Sequence, residues 1–139
     1  MDGWELGLEY LNVDEIEDIL KADFLKTYGL ALTELNQFEI SLEYLNIAQE
    51  ILDNRDDEIL IDIYFGLSIV HKHLTHTEEA LKYSHKAIEL AKKMDNSFEI
   101  SRAYLNDGNI ATHTHHYDEA EKSYREALVY AHTDEVKSN

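Results

Sequence analysis

The chain contains neither cysteine nor proline. Without cysteine there are no disulfides and no thiol chemistry, and nothing ties the chain to an oxidising compartment. Without proline, and with five glycines in 139 residues, little in the sequence interrupts helix. No apolar run is long enough to span a membrane, and the N-terminal MDGWELG is acidic where a secretory signal is basic and then apolar. These features predict a cytoplasmic protein without membrane contact. Basic residues are scarce as well: 12 Lys and Arg stand against 29 Asp and Glu, a net charge of −17. Residues 1–60 hold 16 acids against Lys21, Lys26 and Arg55, whereas residues 61–139 hold 13 acids against nine bases. Such a field repels phosphate backbones, so no nucleic acid is expected on this segment. A basic partner suits it, and so does the simpler reading that acidic faces keep a helical protein soluble. Glycine-rich phosphate loops and nucleophile-elbow serines are also missing, so neither an enzyme nor a cofactor is expected.

What the chain does contain is periodicity. Between Ser97 and His132, Ile100, Tyr104, Ile110 and Ala111 form one amphipathic set, mostly at spacings of three and four. Ala120, Tyr124, Ala127, Leu128 and Ala131 form a second, and the polar run from His113 to Tyr117 separates the two. Gly108 and Ala120 are small enough to let two antiparallel helices approach, with Tyr104 and Tyr124 filling the space beside them. The pattern is copied upstream. Tyr64, Ala80 and Ala87 lie 40 residues before Tyr104, Ala120 and Ala127, and Ser68 takes the place of Gly108. An earlier copy carries Tyr28, Gly29, Ser41, Leu45 and Ala48, with a step of 39 from Ser41 to Ala80. One helix pair cannot bury such faces alone, so consecutive copies must stack.

These copies resemble the tetratricopeptide repeat (TPR) family, whose pattern is W-x2-L-G-x2-Y, then A-x3-F, then P. Tyr104, Gly108, Ala120 and Tyr124 match it in the third copy, Leu67, Ala80 and Ala87 in the second, and Gly29 and Ala48 in the first. Asp107 stands where a leucine is usual and Ser84 where an aromatic is usual, and the closing proline is absent throughout. The period near 40 is similar to that of the extended-repeat branch, which includes scaffold proteins and bacterial peptide-sensing regulators. The resemblance covers about residues 20–132. It implies an all-α fold, a right-handed superhelical solenoid of antiparallel helix pairs. It also implies one domain over 1–139, with a leading helix or partial repeat at 4–21, repeats at 22–55, 56–95 and 96–133, and a frayed tail at 134–139.

The leading segment carries its own signal. Leu8-Glu9-Tyr10-Leu11-Asn12 is identical to Leu42-Glu43-Tyr44-Leu45-Asn46, which opens a second helix. It therefore reads as the second helix of a repeat whose first helix is missing, as in a fragment of a longer array; a natural cap is the alternative. Breaks in the pattern predict helices over about 13–35, 38–52, 57–74, 77–93, 98–113 and 117–132. Asp56, Thr75 or Thr77, and Ser97 are the expected N-caps. No polar capping helix follows His132, so Ala127, Leu128 and Ala131 are expected to be exposed or covered by another chain. That opens the way to a homo-oligomer through the C-terminal helix.

In the TPR family the first helix of each repeat lines a concave groove. The resemblance implies a peptide- or protein-binding face made of Lys26 and Leu30, then Phe65, Ile69 and Lys72, then Arg102, Leu105, Asn109 and Thr112. Asp23, Thr33 and Asp62 lie beside them. Asn109 offers a donor and an acceptor to an extended backbone, and Arg102 offers a fork for a carboxylate. Leu30 and Ile69 replace two polar members of the chaperone-type carboxylate clamp, so that mode is not expected. The expected function is a peptide-binding scaffold and, more specifically, the sensing part of a larger bacterial regulator. The alternative is self-assembly through uncapped repeat ends. All eight histidines fall between residues 71 and 132, and His73 with His113, and His76 with His116, repeat at the 40-residue step. Imidazoles at equivalent places in stacked repeats suit zinc, copper or nickel. Histidines near helix C-termini also complement the helix dipole, a reading that leaves the chain without a metal.

Overall fold

The computed structural model describes residues 13–53 and 55–138, with side chains described as far as His132. The repeated pentapeptide at 8–12 lies outside the described residues. The described helices are α1 (Val13–Glu34), α2 (Phe38–Ile51), α3 (Glu58–His73), α4 (Thr77–Lys93), α5 (Ser97–His113) and α6 (Tyr117–Ser138). Among the described residues there is no strand, and no helix is long and apolar enough to cross a membrane.

Each helix packs against its neighbours in sequence, and α3 also packs against both α1 and α5. Among the described residues, the backbones of α2, α4 and α6 do not approach one another. The odd-numbered helices thus form the tight inner layer of a curved stack, and the even-numbered ones form a splayed outer layer. The result is an all-α right-handed solenoid of antiparallel pairs. Helix α1 runs unbroken from Val13 to Glu34, as the pattern over about 13–35 predicts.

The two helices of each pair are joined by the same device. Asn36, Thr75 and His115 have φ of 61°, 62° and 64°. The following amide reaches back to the helix, from Gln37 to Leu32 O at 2.9 Å, His76 to His71 O at 2.8 Å and His116 to Ala111 O at 2.8 Å. This is the six-to-one bond of a Schellman turn, whose left-handed residue is usually glycine. Asparagine, threonine and histidine fill that place here.

The side-chain caps lie one residue beyond or before the expected places, because a cap must be extended just ahead of the first turn. Asp57, with φ −135° and ψ 140°, accepts the Ile59 amide at 2.8 Å. Asp56 instead pairs with Lys93 at 3.2 Å. Asn96, rather than Ser97, accepts the Glu99 amide at 3.1 Å. Helix α4 follows His76 without a side-chain cap, since Thr75 is taken up by the turn before it.

The core is a series of layers. Leu45 of α2 is fully buried and wedged between two glycines. A Cβ on Gly29 would lie 2.9 Å from its Cγ, and one on Gly66 would lie 3.1 Å from its Cδ1. On α3, Ile61, Ile63, Leu67 and Val70 are all fully buried, as the middle element of the stack requires. Tyr124 covers Gly108, where an added Cβ would meet the ring at 2.5 Å, whereas Tyr104 stacks on Tyr130. Ala127, expected at the open end, is buried, and Ser101 donates to its carbonyl at 2.8 Å. Leu128 and Ala131 are exposed. Helix α6 continues past His132 to Ser138, because nothing in the following TDEVKS breaks a helix.

Candidate functional site

The inner layer brings register-equivalent residues of α1, α3 and α5 side by side. Asp62 is the middle rung of an ion-pair ladder: Lys26 Nζ lies 3.8 Å away on one side and Arg102 Nη2 lies 3.4 Å away on the other. Lys26 is also 3.0 Å from Asp23. Arg102 Nη1 donates to both carboxylate oxygens of Glu99, at 3.0 and 2.8 Å. The guanidinium lies over Phe65, 5.0 Å from the ring centre, and over Phe98 at 5.8 Å. Two of the three cations expected on this face are therefore neutralised within the chain.

Lys72 differs. It is half-buried, no ion pair holds it among the described residues, and burial lowers its pKa below the usual lysine value. Ile69 is half-buried on the same helix. Leu30 is tied into the α1–α3 contact, since a Cβ on Gly66 would come within 2.8 Å of its Cδ2. On α5 the face is open: Leu105 is 51% exposed, and Asn109 and Thr112 are exposed too. Asn109 Oδ1 accepts the Tyr124 hydroxyl at 2.7 Å, which leaves its two amide hydrogens for a ligand. Thr112 and Thr33 turn their hydroxyls back onto Gly108 O and Gly29 O of their own helices.

The histidines related by the 40-residue step do not gather into a metal-binding set. His73 stacks on Phe38 with centroids 4.4 Å apart, and burial lowers its pKa. His76 Nδ1 lies 3.0 Å from His71 Nδ1, and His116 Nδ1 lies 3.0 Å from Thr114 Oγ1. His113 is exposed at the end of α5.

A different cluster, on the outer side, escaped the sequence reading. His85 of α4, Asp107 of α5 and Glu119 of α6 converge. Asp107 is 1% exposed; Ser84 donates to its Oδ1 and Ser123 to its Oδ2, both at 2.6 Å. His85 Nε2–H donates to Glu119 Oε2 at 2.9 Å and stands 3.3 Å from Asp107 Oδ1. The hydrogen bond to Asp107, with help from Glu119, raises His85 to about 9 against the effect of burial. Burial alone would push Asp107 up, but the bonds from His85, Ser123 and Ser84 outweigh it and hold the carboxyl at about 2. Burial pushes Glu119 up, and the bond from His85 opposes it. The signal was present in the two departures from the repeat pattern, Asp107 for leucine and Ser84 for an aromatic, which face each other.

The sequence matches no protein-family model and no curated protein. Among solved structures, the chain is similar to a Rap protein crystallised in complex with competence and sporulation factor, with a TM-score of 0.75 and 25% sequence identity. The similarity covers 91% of this chain and 34% of that one, so the chain spans about a third of the length of the Rap protein and shares its helical-repeat fold over that span.

Proposed function

We propose that the chain is a peptide- or protein-binding helical scaffold whose ligand lies along the inner layer, across α3 and α5. The observation that carries this reading is the contrast along that layer. Lys26 and Arg102 are held by Asp23, Asp62 and Glu99, while Lys72 has no carboxylate partner among the described residues and Asn109 keeps its amide donors. Together with exposed Leu105, these groups offer one cation, one backbone-reading amide and one apolar contact to an extended segment. Similarity to a Rap protein in complex with competence and sporulation factor supports a ligand-binding role. The finer reading, the sensing part of a larger bacterial regulator, rests on the extended-repeat resemblance. The test is fluorescence anisotropy against a labelled peptide library, followed by Lys72→Ala and Asn109→Ala on the best binder. Each substitution is expected to weaken binding by about 1–3 kcal/mol, with Lys26→Ala near neutral. Unchanged affinity in both variants would remove this face from consideration.

A second reading, self-assembly through α6, is favoured by Leu128 and Val129, which are 71% and 56% exposed. Light scattering coupled to size exclusion should then show mass rising with concentration and falling back in Leu128→Glu. A concentration-independent monomer rules it out.

A further inference from the structure

The three side chains His85, Asp107 and Glu119 come from three different helices and aim at one point. We propose that they form a binding site for a divalent first-row transition-metal ion, with zinc as its best probe. The inference is independent of the inner-layer face, because the cluster lies on the outer side of the solenoid.

Geometry supports it first. One ligand atom from each residue lies within 4.8 Å of the other two, and the imidazole nitrogen is 2.9 and 3.3 Å from the two carboxylates. Ligand atoms around a tetrahedral zinc with bonds of about 2.0–2.1 Å stand roughly 3.3 Å apart, so an ion enters with small side-chain shifts. Donor chemistry supports it second. One imidazole and two carboxylates suit zinc or its first-row neighbours, and the two negative charges match one divalent ion. The Nε2 proton of His85 is released to solvent as the ion takes its place between the carboxylates.

The site is also built from behind. Ser84 and Ser123 each hold one oxygen of the buried Asp107, which fixes the orientation of that ligand before any ion arrives. The interface one repeat earlier lacks this arrangement: fully buried Leu67 stands 40 residues before Asp107. Finally, there is a way in. His85, Asp107 and Glu119 line an open cleft of about 550 Å³, which Tyr104, Lys92 and Ser123 also border and which leaves room for a water on the ion. The backbones of α4 and α6 do not meet, and the His85–Glu119 side-chain bond links the two helices, so a bound ion would strengthen a bridge between outer helices that otherwise pack through α5.

The experiment is calorimetric titration of the chelator-stripped full chain with zinc chloride, with magnesium as the hard-cation control. Wild type is expected to bind one zinc saturably and magnesium far more weakly. His85→Gln and Glu119→Gln each change a partly exposed side chain, and each should weaken the site at least about tenfold, as should Ser123→Ala through its hold on Asp107. Zinc should raise the melting temperature of wild type and leave those variants unmoved. Cobalt in place of zinc should give a visible absorption band that His85→Gln loses. Titrations of equal affinity and stoichiometry in wild type, His85→Gln and Glu119→Gln would assign the binding to the other histidines and overturn the proposal. So would the absence of any saturable site.

Discussion

Ser84 of α4 donates a 2.6 Å hydrogen bond to Asp107 of α5, across an interface where the TPR pattern places an aromatic residue and a leucine. The two departures compensate each other. A buried carboxylate is tolerated because Ser84, Ser123 and His85 all satisfy it, and a small residue at 84 makes room for the contact. Removing one member leaves the others stranded, so Asp107→Leu alone should cost about 3 kcal/mol or more. Replacing the buried members together, as Ser84→Ala, Asp107→Leu and Ser123→Ala, should recover most of that loss, because no unsatisfied hydroxyl remains. Urea denaturation of the single and triple variants measures both. A triple variant as unstable as the single one would mean that the polar cluster is not a self-contained unit.

His71 predicts a loss of stability in acid. It is buried, stacks on Tyr83 with centroids 5.6 Å apart, and places Nδ1 3.0 Å from His76 Nδ1. Burial lowers its pKa below 6.5, charge on His76 and Lys82 acts in the same direction, and Glu79 opposes them. A folded pKa below the unfolded value favours the neutral ring, so this contribution is complete above pH 6.5 and is lost as pH falls through the folded value. Wild type should therefore weaken as pH falls below 6.5, and His71→Phe, which keeps the ring stack, should lose part of that slope. Denaturation midpoints of the two proteins across that range are the measurement, and parallel slopes would contradict the assignment.

Thr75 is a place where the chain can be improved. Its φ of 62° puts a β-branched residue in the left-handed region, which costs roughly 1–2 kcal/mol for a residue with a Cβ. Glycine avoids that strain at an entropic cost of roughly 0.5–1 kcal/mol. Thr75→Gly should stabilise the fold by about 0.5–1 kcal/mol, and Asn36→Gly by less, because asparagine tolerates that conformation. Thermal denaturation distinguishes them. A lower melting temperature for Thr75→Gly would show that its hydroxyl bond to Leu74 O matters more than the strain.

The fold was legible in the sequence because the stack repeats one solution. Ala80, Ala87, Gly108 and Ala120 mark where helices must approach, and those positions are buried as the pattern requires. Turn positions were legible as breaks, but the caps were not, because Asp56 and Asp57 are chemically alike and only backbone conformation selects between them. The inner face was legible as a set of residues but not as a charge pattern. Lys26, Asp62 and Arg102 are far apart in the chain, and nothing in their spacing announces that Asp62 pairs with both cations. The cluster at His85 was hidden for the same reason: its three residues belong to three helices, and each alone reads as an ordinary surface charge or a degenerate repeat position.

Leu45 and Leu128 separate a leucine that holds the stack from one that does not. Leu45 is fully buried between Gly29 and Gly66 and so joins α2 to both α1 and α3, whereas Leu128 is 71% exposed on α6. Leu45→Ala should cost about 2–5 kcal/mol, because its two glycine neighbours have no side chains with which to fill the space. Leu128→Ala should stay within about 0.5 kcal/mol. In a solenoid each repeat interacts only with its neighbours, so the damage from Leu45→Ala should also be local. Native-state hydrogen exchange should show α1 and α2 losing protection well before α5 and α6. Uniform loss of protection along the chain would mean that the three pairs unfold as one cooperative block, and that the nearest-neighbour description fails for an array this short.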